Sequence, residues 1–280
     1  IRGKFRSVPE EDVLKEAQWL ADNGVTELIV IAQDSTRYGI DLYKEYRLPS
    51  LLKKLCKIEG FKWIRVLYCY PERITDELIE VMASEKKIAK YIDIPVQHCD
   101  GEILKAMNRQ GDEQSLKALF EKIRSRIPDI TLRTTFITGF PGETDEKFEK
   151  LAEFAAEVKF DRLGCFPYSE EEGTPAAEFD NQVDPEIRSH RADIIMEQQQ
   201  LISDEKNNKK IGKVLEAVVE GFDKYAECYF GRTEADAPDI DGKVFFTSDR
   251  RLSVGQYVNI RINDCMDYDL MGEVTDESAE

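Results

Sequence analysis

The chain has 280 residues, a formal net charge of −17, and 34% charged against 41% hydrophobic residues. That length suits one large α/β domain plus a small appendage, and the composition can supply a buried core. The charge argues against binding driven by nucleic-acid phosphates, which draws on a basic excess, and is compatible with a basic partner or with solubility alone. No apolar run approaches the ~18 residues needed to cross a bilayer, so no transmembrane segment is expected.

The opening, Ile1-Arg2-Gly3-Lys4-Phe5-Arg6, lacks an initiator Met and the shape of a signal peptide, and reads as a cut inside a longer protein. Ser7 and Glu10 are spaced as a capping box, with Pro9 in the first helical turn. Val13, Leu14, Ala17 and Leu20 then make an apolar stripe that Asn23-Gly24 ends. The run 27–32 is continuous and apolar, like a strand buried on both faces of a parallel sheet. The unit repeats along the chain. Helices near 48–58, from Thr75 to about Ser84, at 100–108 with 112–126, and at 143–158 precede strands at 64–70, 91–94, 131–137 and 162–166. Five strands joined by helices predict a parallel α/β sheet, open or closed as a barrel, with its chemistry at the polar strand ends.

A long helical segment, 184–208, follows. After Gly212 the period turns strand-like, at 214–219, 226–232, 243–247, 256–263 and 270–274, which predicts a small antiparallel β-barrel. The boundary is placed near residue 210, giving domains 1–209 and 210–280, and Thr275 to Glu280 reads as a frayed acidic tail. None of the six cysteines (56, 69, 99, 165, 228, 265) forms a CxxC or CxxxC pair, and only His98 and His190 are present, so a self-contained transition-metal site is not expected. Unpaired thiols without a leader point to the reducing cytosol.

The candidate chemistry sits at strand ends. Thr138-Gly139-Phe140-Pro141-Gly142-Glu143-Thr144 is either a cofactor cradle at a helix N-terminus or a tight turn. His98, after Gln97, is either a structural hydrogen bonder or a catalyst. Arg133 and Thr135 share one face of their strand, and an inward Arg there needs an anion, from a ligand or from the fold. Gln33 and Asp34 stand at the first strand's end, where Asp34 could hold a ribose hydroxyl or cap a loop. Glu170, Glu171 and Glu172 could grip a basic peptide or form an acidic surface loop. Walker A, GxSxG, HExxH and GxGxxG patterns do not occur.

The motifs taken together, in order, resemble the methylthiotransferase branch of the radical S-adenosylmethionine (SAM) enzymes, most closely its RimO type. They are Ile1 to Ser7, Gln33-Asp34-Ser35-Thr36-Arg37-Tyr38-Gly39, Tyr70-Pro71, Asp93-Ile94-Pro95-Val96-Gln97-His98 and Leu132 to Thr135. Gly139 to Thr144, Tyr168-Ser169 with Glu171 to Thr174, and Gly231-Arg232-Thr233 with Ala237 to Asp241 complete the set. The resemblance implies a partial (β/α) barrel followed by a TRAM-type β-barrel. It also implies a CxxxCxxC segment upstream of Ile1 for a [4Fe–4S] cluster, and a further upstream domain with a second cluster. The implied reaction cleaves SAM to a radical and inserts a methylthio group at the β-carbon of an aspartate in ribosomal protein S twelve. Gln33, Gln97, Arg133, Thr135 and Gly139 would line the SAM site, and Asp34, His98, Glu171 and Glu172 would face the substrate. No catalytic residue and no metal ligand is expected within the chain itself, and the chain alone is expected to be inactive. Two rivals are a tRNA adenosine methylthiotransferase of the MiaB type and a substrate-binding scaffold without activity. TRAM domains often bind RNA, but residues 210–280 carry 8 basic against 16 acidic residues, which would repel phosphate and attract a basic ribosomal protein.

Overall fold

Helix α1 (Glu10–Asp22) opens a run of alternating helices and strands in a computed structural model that describes residues 3–279. Ile1, Arg2 and Glu280 lie outside the described residues. The expected capping box does not form. Pro9 is the N-cap without a side-chain bond, and the Ser7 hydroxyl accepts the amide of Gly39 (3.0 Å) instead, tying the entering segment to a distant turn. The stripe of Val13, Leu14, Ala17 and Leu20 does pack on the core, and Asn23 caps the helix end.

The strands β1 (Glu27–Val30), β2 (Trp63–Val66), β3 (Ile88–Asp93), β4 (Thr131–Thr138) and β5 (Arg162–Pro167) form one parallel sheet in sequential order. Between them run α2 (Ile40–Tyr43), α3 (Leu48–Leu55), α4 (Asp76–Ser84), α5 (Gly101–Ala106), α6 (Glu113–Arg126) and α7 (Asp145–Val158). Four of these helices start on side-chain caps readable in the sequence. Thr75, Asp100, Asp112 and Thr144 each accept an amide of the first turn, satisfying donors that a helix start leaves open. The core lies between sheet and helices, where Phe120, Phe136, Phe154 and Phe160 interlock, Phe120 and Phe160 edge to face at 5.0 Å.

The first strand departs from expectation. β1 is only half-buried along its length and Ile31 beyond it is 57% exposed, because β1 is the edge of the sheet and has a strand on one side only. In β4, by contrast, alternation is clean: Leu132, Thr134, Phe136 and Thr138 are buried, while Arg133, Thr135 and Ile137 face the opposite, partly open side.

Helix α8 (Pro185–Asn208), capped by Asp184, lies along β5 and α7 and leads to the second unit. Strands β6 (Val214–Asp223), β7 (Cys228–Thr233), β8 (Val244–Thr247), β9 (Tyr257–Met266) and β10 (Asp269–Thr275) close a barrel in the order β10-β8-β7-β6-β9. It is mixed rather than antiparallel, since β8 and β10 pair in parallel. The tail is not wholly frayed either. The carbonyl of Glu277 accepts the Asn259 side-chain amide (2.8 Å), and its carboxylate pairs with Arg261. Among the described residues no helix is long and apolar enough to cross a membrane.

Candidate active site

The ends of the five parallel strands gather three kinds of polar residue: open ones, ones committed to the turns behind them, and ones committed to the inner face below. Gln33 is of the first kind. It is exposed after β1 and borders a cavity of about 730 Å³ that also meets Arg37, Tyr70 and Arg73. The Tyr70 ring carries two guanidinium groups, of Arg109 at 4.4 Å and of Arg73 at 5.3 Å, the latter also paired with Glu72 (3.1 Å).

Gln97 and Thr135 are brought together. The Gln97 amide donates to the Thr135 carbonyl (2.9 Å), and its own carbonyl accepts Ile137 N–H (2.8 Å), so the chain after β3 stays bridged to β4. Gln97 holds a φ of 70°, a conformation that costs a non-glycine residue about 1–3 kcal/mol and persists when the surroundings fix it. Its Oε1 is buried with no hydrogen-bond partner among the described residues. An unpaired buried carbonyl oxygen is the kind of group that a donor on a bound ligand completes.

Asp34 takes the second role its position allowed. It is buried and caps the 3₁₀ turn Ser35–Arg37, accepting Thr36 N–H (3.1 Å) on one oxygen and Arg73 (2.9 Å) on the other. His98 is likewise withdrawn from any substrate, being fully buried. Its Nδ1 accepts the Asp100 amide (2.9 Å), which leaves Nε2 to donate to Glu143 Oε2 (3.1 Å). Glu143 is the hub of this region, for its Oε1 also accepts Gly139 N–H (2.8 Å) and Arg191 (2.7 Å). The Gly139 amide is therefore satisfied internally rather than offered to a cofactor. Its glycine is demanded by packing, because a Cβ there would stand 2.2 Å from Arg188 Cγ at a φ of +69°.

Arg133 finds its anion inside the chain. Its guanidinium donates to Asp93 (2.8 Å) and lies 3.6 Å from Asp241, leaving its charge met before any ligand arrives. Of the three successive glutamates, Glu170 is held by Arg188 (2.6 Å), whereas Glu171 and Glu172 are exposed on the loop after β5. Glu143, Arg73, Arg109 and Asp241 were not singled out from the sequence. Glu143 stands in the quoted glycine-rich motif and Asp241 in the quoted C-terminal one, so both were visible as motif members without a role.

The residues present do not fit an iron–sulfur cluster. Among the described residues no three His, Cys, Asp or Glu side chains come together as a metal-holding group. All six cysteines are free, and burial pushes the Cys99 and Cys165 thiols up to about 12 and Cys69 higher still, away from the thiolate form that ligates iron.

Family models place two matches on this architecture. The radical SAM superfamily matches residues 1–155 and the TRAM domain residues 211–275. Three relatives bear the name ribosomal protein uS12 methylthiotransferase RimO. That of Desulforamulus reducens is 52% identical over 275 residues, 98% of this chain and 62% of the relative. That of Clostridioides difficile is 52% identical over 279 residues, covering 100% and 63%, and that of Desulfitobacterium hafniense 49% over 274 residues, covering 98% and 61%. The chain thus spans a little over three-fifths of the length of these relatives. With its superfamily match running from the first residue into α7, over more than half of its length, the chain belongs to the radical SAM superfamily.

Proposed function

We propose that this chain is the SAM-binding and C-terminal part of a methylthiotransferase that modifies an aspartate β-carbon of ribosomal protein uS12. The observation that carries the reading is that about half of all positions are identical to relatives of that name over both units of the chain, the C-terminal barrel included. The acidic balance of residues 210–280 supports a basic protein partner over RNA, since like charges repel phosphate and opposite charges speed docking. The cluster ligands are assigned to the portion of the relatives' length that this chain does not span, and no membrane is involved. The work is placed in the cytosol, with ribosomal proteins.

When bound, SAM and an iron–sulfur centre supply the radical chemistry, and the protein supplies position and exclusion of water. In this reading Gln97 Oε1 accepts a donor of SAM, and Thr135 and Gln33 line the same approach. Arg133 and Gly139 act on the site only through the strands and turns they hold. Glu171 and Glu172 offer two exposed carboxylates to a basic peptide beside the mouth. This chain by itself is expected to bind uS12, with affinity falling as salt rises, and not to consume SAM.

The test uses the full-length protein, reconstituted anaerobically with iron and sulfide and given reductant, SAM and uS12. The expected product is uS12 heavier by one methylthio group, mapped to an aspartate by mass spectrometry. Modification of a tRNA adenosine in place of uS12 would overturn the choice of substrate, and SAM consumption by the present chain alone would overturn the assignment of the cluster.

A further inference from the structure

The C-terminal barrel sends its β7–β8 loop into the inner face of the parallel sheet. Ala237 is fully buried there against Leu67, Ala89 and Tyr91, and Arg65, itself fully buried, donates to the Glu234 carbonyl (2.9 Å). Asp236 pairs with Arg162, and Asp241 accepts the Tyr91 hydroxyl (2.6 Å) and the Ala237 amide (2.9 Å) on one oxygen. So many buried charges are costly unless each is paired, so the loop and the sheet are fitted to one another.

One line of contacts leaves this floor and reaches the mouth. The second oxygen of Asp241 lies 3.6 Å from Arg133 Nε, and Arg133 donates to Asp93 Oδ1 (2.8 Å). Asp93 Oδ2 accepts the amide of Tyr68 (3.1 Å), and the Asp93 carbonyl accepts the amide of Cys69 (2.8 Å). Tyr68 is 42% exposed just past the end of β2 and holds a φ of 58°. A non-glycine residue stays in that region only when its surroundings hold it; here Asp93 holds the Tyr68 amide, and the Ser35 amide donates to the Tyr68 carbonyl (2.9 Å). Asp236, in the same loop and with a side chain as deeply buried, pairs with Arg162 on β5, and among the described residues no hydrogen bond or ion pair joins it to Arg133 or Asp93.

We infer that Asp241 is a positioning residue for the radical SAM site, fixing the Tyr68–Cys69 turn through Arg133 and Asp93, so that the C-terminal barrel completes the catalytic sheet. The barrel then has a task besides meeting a partner. A partner that strains the β7–β8 loop would reach the mouth along the same contacts. That the turn serves SAM chemistry rests on the proposed function, whereas the linkage itself does not.

The experiment compares Asp241→Asn with Asp236→Asn. Asparagine keeps the shape of each side chain and removes its charge. In this chain, hydrogen exchange at the Tyr68 amide is expected to speed up about tenfold in Asp241→Asn, because Arg133 loses one of its two carboxylate neighbours and its hold on Asp93 loosens. Asp236→Asn is expected to lower overall stability and leave that amide unchanged relative to its neighbours. Arg133→Lys, which keeps a cation but cannot fork to two carboxylates, is expected to give the Asp241→Asn pattern and serves if the first variant does not fold. In the full-length protein Asp241→Asn is expected to lower kcat for SAM consumption about tenfold with KM for uS12 within about twofold. Tyr68 exchange unchanged in both Asp241→Asn and Arg133→Lys, or raised equally by Asp236→Asn, would overturn the linkage. Wild-type protein inactive on uS12 would instead count against the proposed function, with the exchange result still deciding the linkage.

Discussion

The inner face of the parallel sheet has two ends of opposite character. At the floor, Arg65, Arg133 and Arg162 meet Glu27, Asp93, Asp236 and Asp241, so each guanidinium has a carboxylate, although Arg65 Nη2 and Arg162 Nε have no hydrogen-bond partner among the described residues. At the mouth, Gln33 is open to solvent and Gln97 keeps a buried oxygen without a partner. Behind the mouth, His98, Glu143 and Arg191 close on one another as fully as the floor does. The difference is that the floor's unpaired nitrogens belong to guanidinium groups already held by carboxylates, whereas the Gln97 oxygen at the mouth is met by nothing among the described residues, although all of them look alike as polar side chains near strand ends. Completed polar networks stabilise and are costly to break, while an unsatisfied group is tolerated where function uses it.

This contrast can be broken most severely at Glu143. Removing it by Glu143→Ala leaves the buried Arg191 guanidinium with one carboxylate, Asp145, and the main-chain carbonyl of residue 143, and a loss of about 3–5 kcal/mol is expected in urea unfolding. A loss below about 1 kcal/mol would show that the hub is not structural. Next comes Gly139→Ala, expected to cost about 3 kcal/mol because overpacking against Arg188 adds to the strain of a positive φ. Gly24→Ala is the control, with a φ of +85° and open space for the new methyl, and should cost about 1 kcal/mol. Equal losses at the two glycines would remove the packing argument.

A smaller effect tests the floor by pH. Burial, then the charge of Arg162, pushes the Lys210 ammonium down to about 8, from an ordinary 10.5. The unfolded chain therefore binds more protons than the folded one between these values, and stability should rise with pH from about 8 to 10.5. In Lys210→Met that rise should flatten, as read from urea midpoints at pH 8 and 10; an unchanged slope would place the titration elsewhere. The smallest change in stability, within about 0.5 kcal/mol, is expected for Gln97→Ala at the mouth. Its effect should appear instead as roughly tenfold weaker SAM binding by the full-length protein. Full binding by that variant would withdraw the unpaired oxygen from the proposed site.

Much of the architecture was legible in advance because its signals are local. A cap such as Asp112 contacts Ser115, three residues away, and strand alternation repeats every second residue, so both leave a trace in a short window. Helix α8 was legible as a helix over 184–208, but not in how it packs. Its buried face is made of Arg188, Arg191, Gln199 and Asn207 beside only a few apolar residues, so its sequence carries no clear apolar stripe although the helix packs on β5 and α7. The site was legible as a set of strand-end positions, but not as roles. Arg133 looked equally suited to a ligand's anion or to an internal one, and His98 to catalysis or to support.

The amino-acid sequence by itself determined the order of helices and strands, the change to a β-barrel, the charge balance and the resemblance to one enzyme family. Only the tertiary structure decided which polar groups are already taken. Arg133 meets Asp93 across 40 residues, His98 meets Glu143 across 45, and Arg65 reaches Glu234 across 169. Such pairings depend on which strands lie side by side and which loop is folded against them. A hydrogen bond acts over about 3 Å of space whatever the distance along the chain.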